Sequence, residues 1–366
     1  MKSAIRWWVI CLAVLVFGSG VIAAEEPPLR VAIAGLVHGH VDGFFAHAAM
    51  RSDIRIVGIS DPDRGLFDGY ATKFHLDQSL YHGNLEEMLV ATAPGAVLIY
   101  SDTFDHRQIV EICAKHHVPV MMEKPLAVTL ADAQAIARAA AEGKILVLVN
   151  YETSWYPSNH EAFELLHSGA IGSVRKVVIA DGHEGPKEIG VGPEFLSWLT
   201  DPKLNGGGAL YDFGCYGADL MTWLMNGQRP LAVTAVTQQI KPDIYPHVDD
   251  QATIVLTYPD AQAIIQASWN WPFSRKDMEV YGQTGYVITV ASGEVRVRKA
   301  GEKQEHTSAA ASIKPPYDDS LAYLRAVLLG IAKPDGLSSL ETNLIVTEIL
   351  DAARQSAATG RTIRLP

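Results

Sequence analysis

The chain has 366 residues, 48% of them hydrophobic and 19% charged, which is long for one folding unit and apolar enough for a sizeable core. Its formal net charge is −11 and it has no long basic run, which excludes nucleic acid as the expected partner.

The first two dozen residues read as an export leader. Lys2 and Arg6 precede an apolar run from Trp7 to Val21, and Ile22-Ala23-Ala24 offers a small-residue cleavage site before Glu25. The run is short for a membrane span. A secreted or periplasmic protein, cleaved near Ala23-Ala24 and without stable membrane insertion afterwards, is therefore expected. A retained anchor is the alternative. Losing the leader removes Cys11 and leaves Cys113 and Cys215, too few and too scattered for a disulfide framework.

From Leu29 to Asn150 apolar strands alternate with amphipathic helical stretches. Strands are expected at 30–34, 54–59, 96–100, 118–122 and 145–149, with a weaker one near Leu80. Helical periodicity runs through 40–50, 64–74, 85–91, 106–117 and 130–141, the last capped by Thr129. This alternation predicts an α/β Rossmann domain, a doubly wound parallel sheet, over 29–150. After Asn150 the pattern changes. A helix at 159–167 and a strand at 174–179 precede a long loop rich in glycine and proline, 182–208. A helix at 214–225 leads into strands at 232–238, 252–258, 263–269, 278–281 and 287–290, with helices at 320–330 and 339–358. Consecutive strands with short turns predict an α+β domain over 151–366, built on a large, mostly antiparallel sheet.

Open α/β sheets bind ligands at the carboxyl edge of their strands, so the residues ending each strand are the candidates. The first turn reads Ala34-Gly35-Leu36-Val37-His38-Gly39-His40. Gly35 meets the first demand of the dinucleotide fingerprint, while Val37 and His40 take the places of its second and third glycines. Gly39, in a slightly longer loop, restores the close approach, and His38 and His40 can donate to phosphate at the helix N-terminus. A turn that binds no nucleotide is the alternative. Asp61 ends the second strand; a carboxylate there accepts ribose hydroxyls and repels a 2′-phosphate, favouring NAD over NADP, although Arg64 stands close by. Asp61-Pro62-Asp63 is also a common turn signal.

Glu123-Lys124-Pro125 closes the fifth strand. A lysine beside an oxidised nicotinamide loses solvation and feels a positive neighbour, and both lower its pKa. It can then take and pass on a substrate hydroxyl proton. A surface salt bridge with Glu123 is the structural alternative. Pro125 suggests a cis bond. Further on, helical spacing places Asp212, Tyr216 and Asp219 on one face. A phenol has an ordinary pKa of about 10, and a lysine cation beside it favours the phenolate, so Lys124 and Tyr216 make an acid–base pair. Tyr216 packed in the core is the alternative. Trp269 and Trp271, two apart in a strand, share a face that suits a sugar ring or ordinary packing. His183 and Glu184 lie in the long loop without a place. No metal site is expected.

The Gly35 turn, Glu123-Lys124-Pro125 and the run from Gly206 to Tyr216 together resemble the Gfo/Idh/MocA family of nicotinamide-dependent sugar and polyol oxidoreductases, from Leu29 to Leu365. Asp212-Phe213-Gly214-Cys215-Tyr216-Gly217-Ala218-Asp219 is similar to the family's Asp-x-Gly-x-His-x-x-Asp. Tyrosine replaces histidine, as in the branch of glucose–fructose oxidoreductase and dihydrodiol dehydrogenase. Ser101, Thr103 and His106 match the loop that lines the nicotinamide side, with Asp102 in place of a proline. Asn150 and Pro157 match the family's Asn-Arg-Arg-Phe-x-Pro segment. Glu152 stands where an arginine is usual, which disfavours a phosphorylated or strongly acidic substrate.

The resemblance implies an NAD(P)-dependent oxidoreductase of a sugar, polyol or cyclic diol, with Lys124, Tyr216 and Asp212 catalytic, and the leader adds that it is exported. It places Gly35, Val37, His38, Gly39, His40, Asp61, Ser101, Thr103, His106, Glu123, Lys124 and Asn150 at the cofactor, and it implies a homo-oligomer. Little free nicotinamide is expected outside the cytoplasm, so the cofactor has to be held and regenerated in place. A glycosidase or lyase that uses NAD for transient oxidation meets the same condition. A binding protein that kept the fold and lost the chemistry is the remaining alternative.

Overall fold

The computed structural model describes residues 27–366, so the expected leader lies outside the described residues. The first sheet comprises β1 (Leu29–Ala34), β2 (Ile54–Ser60), β3 (Tyr81–His82), β4 (Ala96–Ile99), β5 (Val120–Glu123) and β6 (Val147–Asn150). Between them run α1 (Val41–Ala48), α2 (Arg64–Phe74), α3 (Leu85–Thr92), α4 (His106–Lys115) and α5 (Leu130–Gly143). The strands are all parallel, in the order β3-β2-β1-β4-β5-β6. In β1 the residues Val31, Ala32, Ile33 and Ala34 are all buried. A strand covered by helices on both faces reads as a continuous apolar run, and this one does. Asp63 caps α2 and Thr129 caps α5 through their side chains, which ends the preceding loops where the sequence expects.

The second half contains α6 (Pro157–His167), β7 (Val174–Gly182), α7 (Pro193–Leu199), α8 (Pro202–Asn205), α9 (Ala209–Asp212) and α10 (Gly214–Leu224). Strands β8 (Ala232–Gln238), β9 (Gln251–Thr257), β10 (Gln262–Ser268), β11 (Arg275–Gly282), β12 (Gly285–Val290), β13 (Glu294–Lys299) and β14 (His306–Ala309) follow. Then come α11 (Ser320–Leu328), α12 (Leu340–Thr359) and β15 (Ile363–Arg364). The nine strands are ordered β14-β13-β12-β11-β7-β10-β9-β8-β15, antiparallel except for β7 with β10. In β9 buried and half-buried residues alternate, the mark of one face on a core and one toward solvent.

Three expectations need correction. The loop 182–208 holds two short helices, α7 and α8. Each opens with a proline, and proline fits the first helical turn. Residues 320–332 belong by packing to the first sheet. Leu321, Tyr323, Leu324 and Ala326 of α11 bury in the same cluster as Val31, Ile33, Phe44 and Phe45, and each such leucine contributes about 1.5–3 kcal/mol. Finally, Asp212 and Tyr216 are on different helices. α9 ends at Asp212 and α10 opens at Gly214, so what brings them together is packing, not helical spacing.

Candidate active site at the carboxyl edge of the first sheet

The end of β5 carries two adjacent buried charges. Glu123 accepts from Asn150 Nδ2 at 3.0 Å and pairs with His40 Nδ1 at 2.9 Å. Asn150 Oδ1 in turn accepts from Trp155 Nε1 at 3.0 Å. Burial opposes the Glu123 charge, but the His40 and His38 imidazoles and the Asn150 amide outweigh it and hold the carboxyl at about 2. Each end of the Asn150 amide makes one hydrogen bond, which positions Glu123 and leaves one N–H and one lone pair of the amide unengaged.

Lys124 does not pair with Glu123. Its Nζ donates to Asp212 Oδ1 at 2.5 Å and to the Asp212 carbonyl at 3.2 Å. The Lys124–Pro125 bond is cis, as the sequence suggests. Burial favours the neutral amine, but the Asp212 charge wins and the Lys124 pKa lies above its ordinary value. Of the two causes the sequence reading gives for a lowered pKa beside an oxidised nicotinamide, desolvation is present, and a carboxylate in contact offsets it. Burial likewise opposes the Asp212 charge, while Lys124, His183 and the Trp269 indole hold it down at about 2.

Asp212 is aimed by its surroundings. Gly208 precedes α9, and a Cβ there would stand 1.8 Å from the Asp249 carbonyl oxygen, so only glycine fits. The Asp249 carboxylate accepts the N–H groups of Gly208 (3.0 Å) and Leu210 (2.7 Å). Trp269, fully buried, donates Nε1 to Asp212 Oδ2 at 2.9 Å. It is thus no sugar platform, and both Trp269 and Trp271 lie beyond the end of β10.

Tyr216 presents its ring face to two ammonium groups, Lys124 Nζ at 5.1 Å and Lys276 Nζ at 4.7 Å from the centroid. Burial pushes its phenol well above the ordinary value, and nearby carboxylates add to this. Lys276 on β11 forms an ion pair with Glu152, which also accepts from the Tyr156 hydroxyl. Lys276 had no sequence signal, because nothing local to β11 marks it as a neighbour of Glu152. Opposite Lys276 in the ladder, Asp181 is fully buried with neither carboxyl oxygen partnered among the described residues. Burial pushes its pKa up to about 8. Asp219 is also buried without a partner among the described residues, and burial raises its pKa well above the ordinary carboxylate value; it packs as core and does not join the Lys124 cluster.

His183 does reach this site. Its ring meets Phe213 edge-on at 4.9 Å, and it lies close enough to Asp212 and Lys124 for their charges to act on it. Burial lowers its pKa. Its Nδ1 accepts from Gly185 N at 2.9 Å, so the neutral ring carries its proton on Nε2. Glu184 supplies only its carbonyl, to Lys241.

At the cofactor turn Gly35 has φ +82°, and a Cβ there would meet Ser101 N at 2.6 Å, so glycine is required. Asp61 braces the turn, accepting Leu36 N and Asp63 N, both at 2.8 Å. Ser101 donates to its neighbour's carbonyl, and Thr103 donates to Asn205 Oδ1 at 3.2 Å. Both hydroxyls are therefore used by the protein. His38 accepts from His40 N through Nδ1 at 3.2 Å and packs between Phe195 and Trp198. Trp198 Nε1 donates to the Val37 carbonyl at 3.2 Å, and a Cβ on Gly39 would stand 3.2 Å from Phe195. Thus α7 from the second half covers the turn, a contact no sequence motif announces. One donor atom each of His38, His40 and Glu123 lies within 4.8 Å of the others; the His40–Glu123 hydrogen bond already engages two of them.

Residues 29–151 match the family model described as an oxidoreductase family with an NAD-binding Rossmann fold, and 160–288 match the GFO/IDH/MocA C-terminal domain. The chain belongs to the Gfo/Idh/MocA family. It is 29% identical to trans-1,2-dihydrobenzene-1,2-diol dehydrogenase of Xenopus tropicalis over 50% of this chain and 52% of that protein. To the Homo sapiens protein of that name it is 25% identical, over 57% and 58%. The matches thus span little more than half of these relatives. Among solved structures it resembles aldose-aldose oxidoreductase from Caulobacter crescentus complexed with glycerol, with a TM-score of 0.78 and 23% identity over 92% of this chain and 100% of that one. An inositol dehydrogenase homolog complexed with NAD+ from Azotobacter vinelandii gives a TM-score of 0.79 and 17% identity over 92% and 97%. At these identities the likeness shows the fold.

The turn fits the family's nucleotide. His38 Nε2 and His106 Nε2 are buried without a partner among the described residues, and a polar ligand reaching them would supply what they lack.

Proposed function

We propose that this chain is an exported NAD-dependent oxidoreductase of an uncharged sugar, polyol or cyclic diol. The carrying observation is the charge balance at the carboxyl edge. Lys124 is matched by Asp212, Lys276 by Glu152, and Asp181 stays protonated up to about 8. A site with no spare charge favours a neutral substrate over a carboxylate or phosphate. NAD is favoured over NADP because Asp61 faces the turn. Arg64, the nearby cation, is engaged by Asp68 at 2.9 Å and lies 4.5 Å over the Tyr81 ring.

The Lys124 ammonium, the Tyr216 phenol and the His183 Nε2–H are three donors at one site. They suit a substrate oxygen on which negative charge develops. Bound NAD would supply the hydride acceptor. In the oxidising direction Lys124 would release its own proton to solvent and then take the carbinol proton; Asp212 holds the amine in place, and the Trp269 indole holds Asp212. His183, uncharged at neutral pH, also supports a second reading, glycoside cleavage through transient oxidation, in which it would serve at the adjacent carbon after a ring flip. Net formation of ketone or lactone separates the two. Self-association, the remaining expectation, would use the solvent face of the second sheet, where Val236 stands exposed.

The test is to purify the leaderless protein, denature it and assay the supernatant for nicotinamide nucleotide. Near-stoichiometric NAD supports a held cofactor regenerated in place. No release, together with no binding of added NAD or NADP, sinks the proposal.

A further inference from the structure

A cavity of about 990 Å³ is lined by neither Lys124 nor Asp212. Its walls are aromatic: Trp155, Trp223, Tyr317 and Tyr323. Trp223 is held rigid by stacking on Phe163, with centroids 4.1 Å apart and planes within 12°. Three carboxylates, Glu164, Asp335 and Glu341, also face the cavity, and none has an ion-pair partner among the described residues. Of the two cations in the wall, Arg229 is taken by Glu348 at 2.8 Å, which leaves only Lys314.

This chemistry selects its ligand. Aromatic faces accept the C–H face of a pyranose ring, and carboxylates accept its hydroxyls in pairs. The surplus of free carboxylates repels an anion. The volume is at the upper end for a small-molecule site and is ample for two sugar rings. The cavity is also connected to the cofactor edge. Trp155 turns its ring to the cavity and its Nε1 to Asn150 Oδ1 (3.0 Å), and Asn150 Nδ2 holds Glu123 Oε1 (3.0 Å). Tyr323 lies 5.7 Å from Trp155, ring to ring.

We propose that this cavity is a second binding site, for a non-anionic saccharide, and that Trp155 and Asn150 couple its occupancy to Glu123 at the cofactor edge. It is distinct from the reaction centre, and its occupancy is read without turnover.

Cellobiose is the probe, titrated into the leaderless protein by calorimetry and by saturation-transfer NMR. Saturable binding is expected, weakened about tenfold by Glu341→Gln or by Tyr317→Ala and unchanged by Lys124→Ala. Glucuronate should bind more weakly by a similar factor. Cellobiose should change NAD affinity by about fivefold or more. Trp155→Phe, which keeps a ring and removes the N–H, should abolish that change while keeping cellobiose binding. Glu341 and Tyr317 are exposed, so these variants test the site without threatening the fold. Absence of saturable binding overturns the site. So does binding that Lys124→Ala removes and Glu341→Gln leaves intact, since the sugar then sits only at the reaction centre. Dimerisation that Tyr317→Ala breaks and cellobiose does not compete with assigns the cavity to a second copy and also overturns it. Binding without any effect on NAD affinity overturns the coupling.

Discussion

Glu123 and Lys124 are consecutive, both nearly buried at the end of β5, and both charged, yet they are held by different parts of the molecule. Glu123 draws its partners from its own sheet, His40 from the turn after β1 and Asn150 from the end of β6. Lys124 draws its partner, Asp212, from 88 residues further along. The first pair exists as soon as the Rossmann sheet forms. The second exists only after the two halves dock. On the proposed function one strand end divides into a side that would hold the nucleotide and a side that would do chemistry, and the two sides differ in which half supplies the counter-charge.

The largest break in that comparison is Lys124→Met. Turnover should fall about a thousandfold, with nucleotide content kept. It also strands the Asp212 charge, so stability should fall by about 3–5 kcal/mol in urea denaturation, and the double variant with Asp212→Asn should recover part of this.

Asp212→Asn alone comes next. Without the carboxylate, burial is offset only by weaker neighbours such as Glu123 and the Lys124 pKa falls, so the rise of the oxidation rate with pH should move to lower pH by about one unit or more. The stability arm has a definite sign. The Asp212 pKa is depressed to about 2 in the folded protein, so its contribution is present above the unfolded value of about 4 and is lost as pH falls from there toward 2. The variant should lack that acid-side loss in thermal melts.

Glu123→Gln sharpens the other side. Losing the charge-assisted link to His40 should speed nucleotide release by about tenfold, with kcat at saturating NAD largely kept, as stopped-flow and steady-state rates would show. On activity the smallest expected effect is that of Asp181→Asn. The folded pKa of Asp181 is raised to about 8, so its protonated burial costs stability increasingly as pH climbs from about 4 to 8. The amide should raise the melting temperature more at pH 8 than at pH 4.

The first sheet was readable almost strand by strand, since parallel strands covered on both faces are continuous apolar runs. The second sheet was readable where burial alternates, as in β9 and β10. It was not readable in β13 (Glu294–Lys299), where four of six residues are charged, or in the two-residue β15, which exists only by pairing with β8. Lys124, Asp212 and Tyr216 were legible as motif residues. Lys276, Trp198 and Phe195 were not, because each acts on a partner from a distant part of the chain. Trp269 was left open between a sugar face and packing for the same reason: a tryptophan near a strand end looks alike whether it faces a sugar or a buried carboxylate.

By itself the sequence determined where the strands end, and therefore which side chains stand at the ligand edge, because local apolar periodicity and glycine turns depend on near neighbours. Only the tertiary structure decided the charge states there. The pKa of Lys124 depends on burial and on a carboxylate 2.5 Å away in space and 88 positions away in the chain, and electrostatic interaction follows distance through space, which no local pattern encodes.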